Sequence, residues 1–339
     1  MSSKLLTSDN PLLSRPTNGS TGSAFESSAR DASEASEINF TDTLPDGVAG
    51  YIANSLSENT RRAYAADLSH FEAWGGKVPA SDVTVASYLA EHADILTVAT
   101  LARRLATISK AHTAKGLTSP TGSELVRMTM RGIKRSQKTG QIEAKPLLRD
   151  DLFNVLERIG DNTKGLRDRA LLLLGFAGGF RRSELVGLDV EDIEQVRQGM
   201  VILLRRSKVD QEARGRKIGI PFGRTRWCPV AALEAWLSRS GIASGALFRP
   251  MNKHGQVLNG RLSGEAVSII LRSRMSAANI DPSGYSGHSL RAGFATSAAL
   301  AGVSTMKIRA QTGHASDAML SRYVRGGQLF IDNAASALL

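Results

Sequence analysis

Residues Ser286–Ser304 read SGHSLRAGFATSAALAGVS. The stretch predicts a helix opening near His288, with His288 and Arg291 one turn apart beside its start. There the helix dipole favours an anion and an imidazole exchanges protons at cellular pH. A further helix is expected from Ser304, ended by Gly313 just before His314. Tyr323 follows nine residues later, on a short helix capped by Ser316 and flanked by Arg322 and Arg325. Taken singly, such a tyrosine is a packing residue with a solvated hydroxyl.

Working upstream, Gly178–Leu188 reads GGFRRSELVGL. The two glycines end the apolar helix Arg169–Ala177, and Arg181 and Glu184 fall one turn apart in the helix that follows. They form either an i, i+3 surface ion pair or two groups facing one site. Between the two motifs, Met200–Leu204 (MVILL) and Lys217–Ile220 predict two strands joined by the polar segment Val209–Gly215, a hairpin inside a helical domain. Lys208 ends the first strand in RRSK. It is a solvated lysine or, on a hairpin tip, a group that reaches into a groove and donates a proton. Tyr285 is the rival to Tyr323 as a nucleophile, but it precedes the site helix instead of lying on a separately movable segment.

Toward the N-terminus the pattern stays helical. Ser57–Trp74 places Tyr64, Leu68 and Phe71 at i, i+4, i+7, and Leu101, Leu105 and Ile108 repeat that spacing in a helix from Thr97 to about Lys115. Helices near Pro45–Leu56, Ser81–His92 and Gly122–Arg135 complete a small bundle. Its polar faces carry Arg61, Arg62, Arg103, Arg104, Lys110, Lys115, Arg131, Lys134, Arg135 and Lys138. These are solvated helix faces or, as a set, a surface that tracks phosphates. Residues 1–42, rich in Ser, Thr, Asn and Gly, show no sustained period and are expected to be a disordered tail. The bundle occupies 43–138, the aperiodic stretch KTGQIEAKP ending at Pro146 makes 139–146 a linker, and a second domain runs over 147–339.

The whole-chain quantities agree with a two-domain globular protein. At roughly 150 residues per domain, 339 residues allow about two, and 42% apolar with 22% charged residues excludes global disorder. The longest apolar run, Ala170–Phe180, is short of the roughly 20 residues that cross a bilayer, so no membrane span is expected. No secretory signal is expected either. The one cysteine, Cys228, excludes an internal disulfide and CxxC-type zinc sites and fits a reducing compartment, so the cytoplasm is the expected location. Subtracting 32 acidic from 43 basic residues leaves +11, which favours a polyanionic partner, nucleic acid before an anionic membrane surface. Neither GxxxxGK[ST] nor GxGxxG nor HExxH occurs, so nucleotide-driven and zincin chemistry lack their usual support.

The joint order Arg181, Lys208, His288 with Arg291, His314 and Tyr323 resembles the tyrosine recombinase (phage integrase) family, and Ser286–Ser304 is similar to its Cre-like members. The resemblance covers nearly everything from about residue 45 onward. It implies a mainly α fold: a helical core-binding domain plus a helical catalytic domain with a small antiparallel β-sheet, clamping duplex DNA. It further implies that Tyr323 is the nucleophile, that Arg181 and Arg291 bind the scissile phosphate, and that Lys208 is the general acid. His288 then assists proton transfer, His314 hydrogen-bonds a phosphate oxygen, and Glu184 matches the acidic position that supports them. Where Cre-like members carry tryptophan, this chain has His314, the choice of Xer-type recombinases and most integrases.

The residue types suit that chemistry. Attack on a phosphodiester builds negative charge that two guanidinium forks stabilise without a metal, and a phosphotyrosyl ester keeps the bond energy, so neither ATP nor another cofactor is needed. The expected reaction is site-specific recombination through a 3′-phosphotyrosyl intermediate, on duplex DNA with paired half-sites held by a homotetramer. A relaxing topoisomerase, a telomere resolvase and a non-catalytic DNA-binding regulator are the alternatives. Beyond Gly326 and Gly327, Leu329, Phe330, Ala334, Leu338 and Leu339 form an apolar helical stripe that folds onto its own domain or, as in Cre-like recombinases, docks on a neighbouring protomer.

Overall fold

The structure, a computed structural model, describes Leu56 and residues 58–137, 144–205 and 215–327. The hairpin tip with Lys208, Lys138, the tail, the helix expected at Pro45–Leu56 except its last residue, and the terminal apolar stripe lie outside the described residues. The chain divides into two compact units, residues 1–141 and 142–339.

In the first unit the helices are α1 (Glu58–Ala73), α2 (Asp82–Glu91), α3 (Val98–Ala114) and α4 (Glu124–Ser136). Ser81, Thr97 and Ser123 cap α2, α3 and α4 by accepting from Thr84, Thr100 and Val126 backbone N–H groups. The last helix starts later than its expected Gly122 because Pro120–Gly122 forms a separate 3₁₀ turn. Leu68 and Phe71, Val85, Tyr88 and Leu89, Leu101 and Ile108, and Val126, Met130 and Ile133 make the core.

That core also holds a buried acid. Asp67 accepts from Arg103 Nε at Oδ2 (2.7 Å) and from Arg103 Nη2 at Oδ1 (2.8 Å), and Arg104 Nε lies 3.5 Å from Oδ1. Arg104 Nη1 also donates to Tyr88 Oη at 2.8 Å and to the His70 ring. Arg104 is buried, so the expectation that it contacts phosphate is corrected: its charge is internal and ties α3 to α1 and α2. Arg103 keeps half of its side chain exposed while its Nε and Nη2 donate to Asp67. Arg61, Arg62, Lys110, Lys115, Arg131, Lys134 and Arg135 are exposed. Among these Arg62 donates to Asn59 (2.7 Å) and Arg131 to Glu124 (2.5 Å).

The second unit is helical around a small sheet. Its helices are α5 (Arg149–Glu157), α6 (Thr163–Ala177), α7 (Arg182–Gly187), α8 (Pro229–Ser240), α9 (Gly264–Ala277), α10 (His288–Leu300), α11 (Thr305–Thr312) and α12 (Asp317–Gly327). The antiparallel sheet runs β1 (Ile193–Val196), β2 (Gly199–Leu204), β3 (Arg216–Pro221) in that order, with Ile193 opposite Ile202 and Ile202 opposite Ile218. β2 and β3 are the expected hairpin. The edge strand β1, IEQV, is short and mostly exposed and carries too little period to be read from sequence.

The main core joins Leu171–Leu174 of α6 to Trp236 of α8, Val267 and Leu271 of α9 and the inner residues of β2 and β3. Gly293 lets α10 approach the chain entering this unit: a Cβ there would lie 1.8 Å from Leu147 O. A smaller cluster of Ala295, Ala299, Ile308 and Leu320, with Phe294 and Tyr323 against it, packs α10, α11 and α12 together. That cluster brings residues far apart in sequence to one place.

Candidate active site

α10 supplies the first two groups. His288 is its first residue and is exposed, whereas Arg291, one turn on, is 1% exposed. Arg291 Nη1 donates to Gly179 O (2.8 Å) and to Thr312 O, and Nη2 is buried with no hydrogen-bond partner in the structure. A buried guanidinium nitrogen without an acceptor is costly in a finished fold. Burial, then the nearby Arg181, pull the Arg291 pKa down to about 10, so it stays charged at neutral pH.

Arg181 sits at the N-terminus of α7, directly after the turn that ends α6. Its backbone N–H and Nη1 both donate to the buried Glu184 carboxylate (2.8 and 2.5 Å), and its Nη2 donates to Gly313 O at 3.2 Å. Arg181 and Glu184 form the i, i+3 ion pair read from the sequence, but the pair is largely buried instead of on an open surface.

The turn after α11 completes the cradle. Gly313 ends the helix in the left-handed region at φ 65°, and a Cβ there would lie 2.8 Å from Arg216 Cζ. Arg216, at the start of β3, donates to Ala310 O (2.8 Å), Gln311 O (2.7 Å) and Thr312 O (3.4 Å), at the negative end of that helix. Sequence reasoning missed this arginine, because in the run RGRK nothing separates it from a solvated cation. His314 follows the glycine, is 5% exposed, and has Nδ1 2.7 Å from Thr312 Oγ1. Burial, then Arg291, Arg181, His288 and Arg216, lower its pKa to about 3, so its ring is neutral at physiological pH.

Tyr323 reaches this cradle from α12. Its hydroxyl and His288 Nε2 are 2.7 Å apart, and its ring stands 5.7 Å from that of His314, centroid to centroid. The structure thus brings Arg181, Glu184, His288, Arg291, His314 and Tyr323 together. Tyr285 packs against the main core with Lys145 Nζ 5.8 Å from its ring centroid; burial, then Asp151 and Asp281, raise its phenol above the ordinary value. Among the described residues no group of three or more His, Cys, Asp or Glu side chains is placed to hold a metal ion, and no helix is long and apolar enough to cross a membrane.

The sequence profile of the phage integrase family matches residues 147–328. The chain is 38% identical over 294 residues to the integrase/recombinase xerD homolog of Selenomonas ruminantium, covering 84% of this chain and 86% of that one. It is 28% identical over 250 residues to the recombinase cre of Escherichia phage P1, covering 68% and 71%. Its fold matches that of a lambda integrase tetramer bound to a Holliday junction with a TM-score of 0.55 at 17% identity, covering 79% of this chain and 75% of that one. A mainly helical unit with a three-stranded antiparallel sheet, a tyrosine carried to two arginines and two histidines, and a match over more than half the chain lead to one conclusion: this chain belongs to the phage integrase family and is a tyrosine site-specific recombinase.

Proposed function

We propose that Tyr323 cleaves and rejoins duplex DNA through a 3′-phosphotyrosyl intermediate, with Arg181 and Arg291 receiving the scissile phosphate. The 2.7 Å contact between the Tyr323 hydroxyl and His288 Nε2 carries this reading. It puts a base against the phenol proton and does so beside a buried Arg291 nitrogen that lacks an acceptor. Tyr323 Oη attacks phosphorus while its proton passes to His288. Charge gathering on the non-bridging oxygens meets the two guanidinium forks. Lys208, on the hairpin tip, protonates the departing 5′ oxygen, and a 5′ hydroxyl reverses the sequence with no external energy source. Glu184 orients Arg181. The raised phenol of Tyr285 disfavours it as the nucleophile.

The substrate is duplex DNA with paired half-sites, held by four copies of the chain; the tetrameric assembly on a junction formed by a protein of the same fold supports that arrangement. Residues 43–138 supply phosphate contacts through Arg61, Arg62, Lys110, Arg131, Lys134 and Arg135, and 147–339 supply the chemistry. The terminal stripe couples protomers by docking on a neighbour. Exposed Leu300 at the end of α10, Val303 in the turn that follows and Met306 in the first turn of α11 offer apolar surface in the same unit. The protein works in the cytoplasm, on DNA.

The test is a denaturing gel of protein incubated with nicked half-site DNA. The native chain yields a covalent adduct. Tyr323→Phe keeps DNA affinity, since ring and basic surface remain, and yields none. Adducts from the phenylalanine variant refute the assignment.

A further inference from the structure

Thr312 closes α11, is fully buried, and touches the site through its hydroxyl. Thr312 Oγ1 lies 2.7 Å from Ile308 O and 2.7 Å from His314 Nδ1. A carbonyl oxygen only accepts, and a threonine hydroxyl has one proton. The contact with Ile308 therefore uses that proton. The contact with His314 must then run the other way, with Nδ1–H donating to Oγ1. The reverse assignment would leave two acceptor oxygens 2.7 Å apart with no proton between them. In a neutral ring, a proton on Nδ1 leaves Nε2 as a bare acceptor.

A bare Nε2 repels a phosphate oxygen, yet the guanidiniums around the ring prepare the place for one. Arg291 and His288 face it from α10, Arg181 with its partner Glu184 from the start of α7, Arg216 from β3, and Tyr323 from α12. From α11 itself Arg309 Nε donates to His314 O at 3.1 Å and its Nη1 to Asp317. We infer that Thr312 is a positioning residue: it fixes His314 as the Nδ1–H tautomer, so that Nε2 takes a proton from solvent as the phosphate enters and His314 meets the phosphate as an imidazolium. The bond made is Nε2–H and the bond broken is an O–H of the solvent hydronium that gives up the proton, leaving water. The incoming anion supplies the compensation, since it offsets the three guanidiniums that otherwise oppose charge on this ring. The chain Nδ1–H to Oγ1–H to Ile308 O is polarised along its length when the ring is charged, which strengthens the donor bond to Thr312.

This inference rests on the proposed reaction, so its test separates the two. In full-length protein labelled with ¹⁵N in the histidine rings, His314 is assigned by its disappearance in His314→Gln. Without DNA, Nδ1 is expected at the protonated position and Nε2 at the bare one; with half-site DNA both are protonated. An Nε2–H ring without DNA, or a neutral ring with it, overturns the inference. Thr312→Val removes the acceptor at nearly constant shape. It is expected to release the ring to the Nε2–H form, which donates to the phosphate without an added proton, so the alkaline fall of cleavage rate caused by deprotonation of His314 disappears. Thr312→Ser is expected to restore both. A valine variant with unchanged tautomer and unchanged profile also overturns it. Should valine fail to fold, the ring signals of the native protein decide alone. If Tyr323→Phe forms adducts while the ring behaves as described, the reaction assignment fails and the tautomer assignment stands.

Discussion

Replacing Arg291 with lysine separates what the guanidinium does for the fold from what it does for the reaction. In the native side chain Nη1 donates to Gly179 O and Thr312 O, while Nη2 is buried without a partner. An ammonium is one compact donor centre on a flexible stem and cannot hold two carbonyls on one side and a phosphate on the other. The structural loss is about one hydrogen bond from a charged group, roughly 1.5–3 kcal/mol. For a unit of this size each kcal/mol lowers Tm by about 2–4 °C, so the variant stays folded at 25 °C. The catalytic loss is larger, because removing one preorganised donor costs roughly 10²–10³ in rate. DNA affinity changes far less, since this contact is one among many phosphate contacts. Single-turnover cleavage of a nicked duplex, a gel-shift titration and a melting curve on the same preparation measure the three quantities. If cleavage and affinity fall by the same factor, Arg291 is an ordinary phosphate anchor and the argument from its unpartnered nitrogen fails.

Three further outcomes are expected. Changing Arg61, Lys110, Lys134 or Arg135 to Ala reduces the slope of log affinity against log salt by about 1 for each true phosphate contact; Arg104→Met leaves the slope unchanged, as its charge is internal. Asp67→Asn leaves the Arg104 guanidinium without its counter-charge and destabilises the bundle by roughly 3–5 kcal/mol, read as lost hydrogen-exchange protection in α1–α4 with the second unit unaffected. Without DNA, folded His314 titrates at about 3 against 6.5 for the ordinary side chain. The unfolded chain then binds the extra proton between those values, so Tm falls as pH drops from 6.5 toward 3, and His314→Gln flattens that part of the profile.

What the sequence reveals and what it hides follows from how local each signal is. Helix periods and caps are local, and the order of motif residues survives as a pattern, so α1, α3, α10 and the placing of Tyr323 after His314 are legible. Arg104 is instructive because its signal was present. Leu101 and Ile108 bracket it at i−3 and i+4, so the apolar period itself puts Arg104 on the inner face, where it is buried while Leu105 is only half-buried. What the sequence does not announce is the partner that makes a buried arginine tolerable: Asp67 lies 36 residues before Arg103, on another helix. Arg216 is hidden for the same reason, since its partners are carbonyls 94 to 96 residues away. Main-chain acceptors carry no residue identity, and nothing in a sequence points to them.

Those carbonyls explain how the site can be both rigid and strongly positive. Arg181, Arg216 and Arg291 are held by the oxygens of Gly179, Ala310, Gln311, Thr312 and Gly313, and among the described residues the carboxylate that pairs with them is Glu184. Three guanidiniums against one carboxylate leave two positive charges in the described part of the site, with one donor of Arg291 still unsatisfied. The arrangement lowers stability, as the depressed pKa values of Arg216 and Arg291 record, because burial and mutual repulsion both oppose the charged forms. The packed α6, α8 and α9 core offsets that cost at a distance. A neutral acceptor fixes the direction of a guanidinium without cancelling its charge, and the last turn of α11 adds the negative end of a helix dipole as a further hold. Carboxylates in place of those carbonyls would position the three arginines equally well and would remove the field that a phosphate needs on arrival.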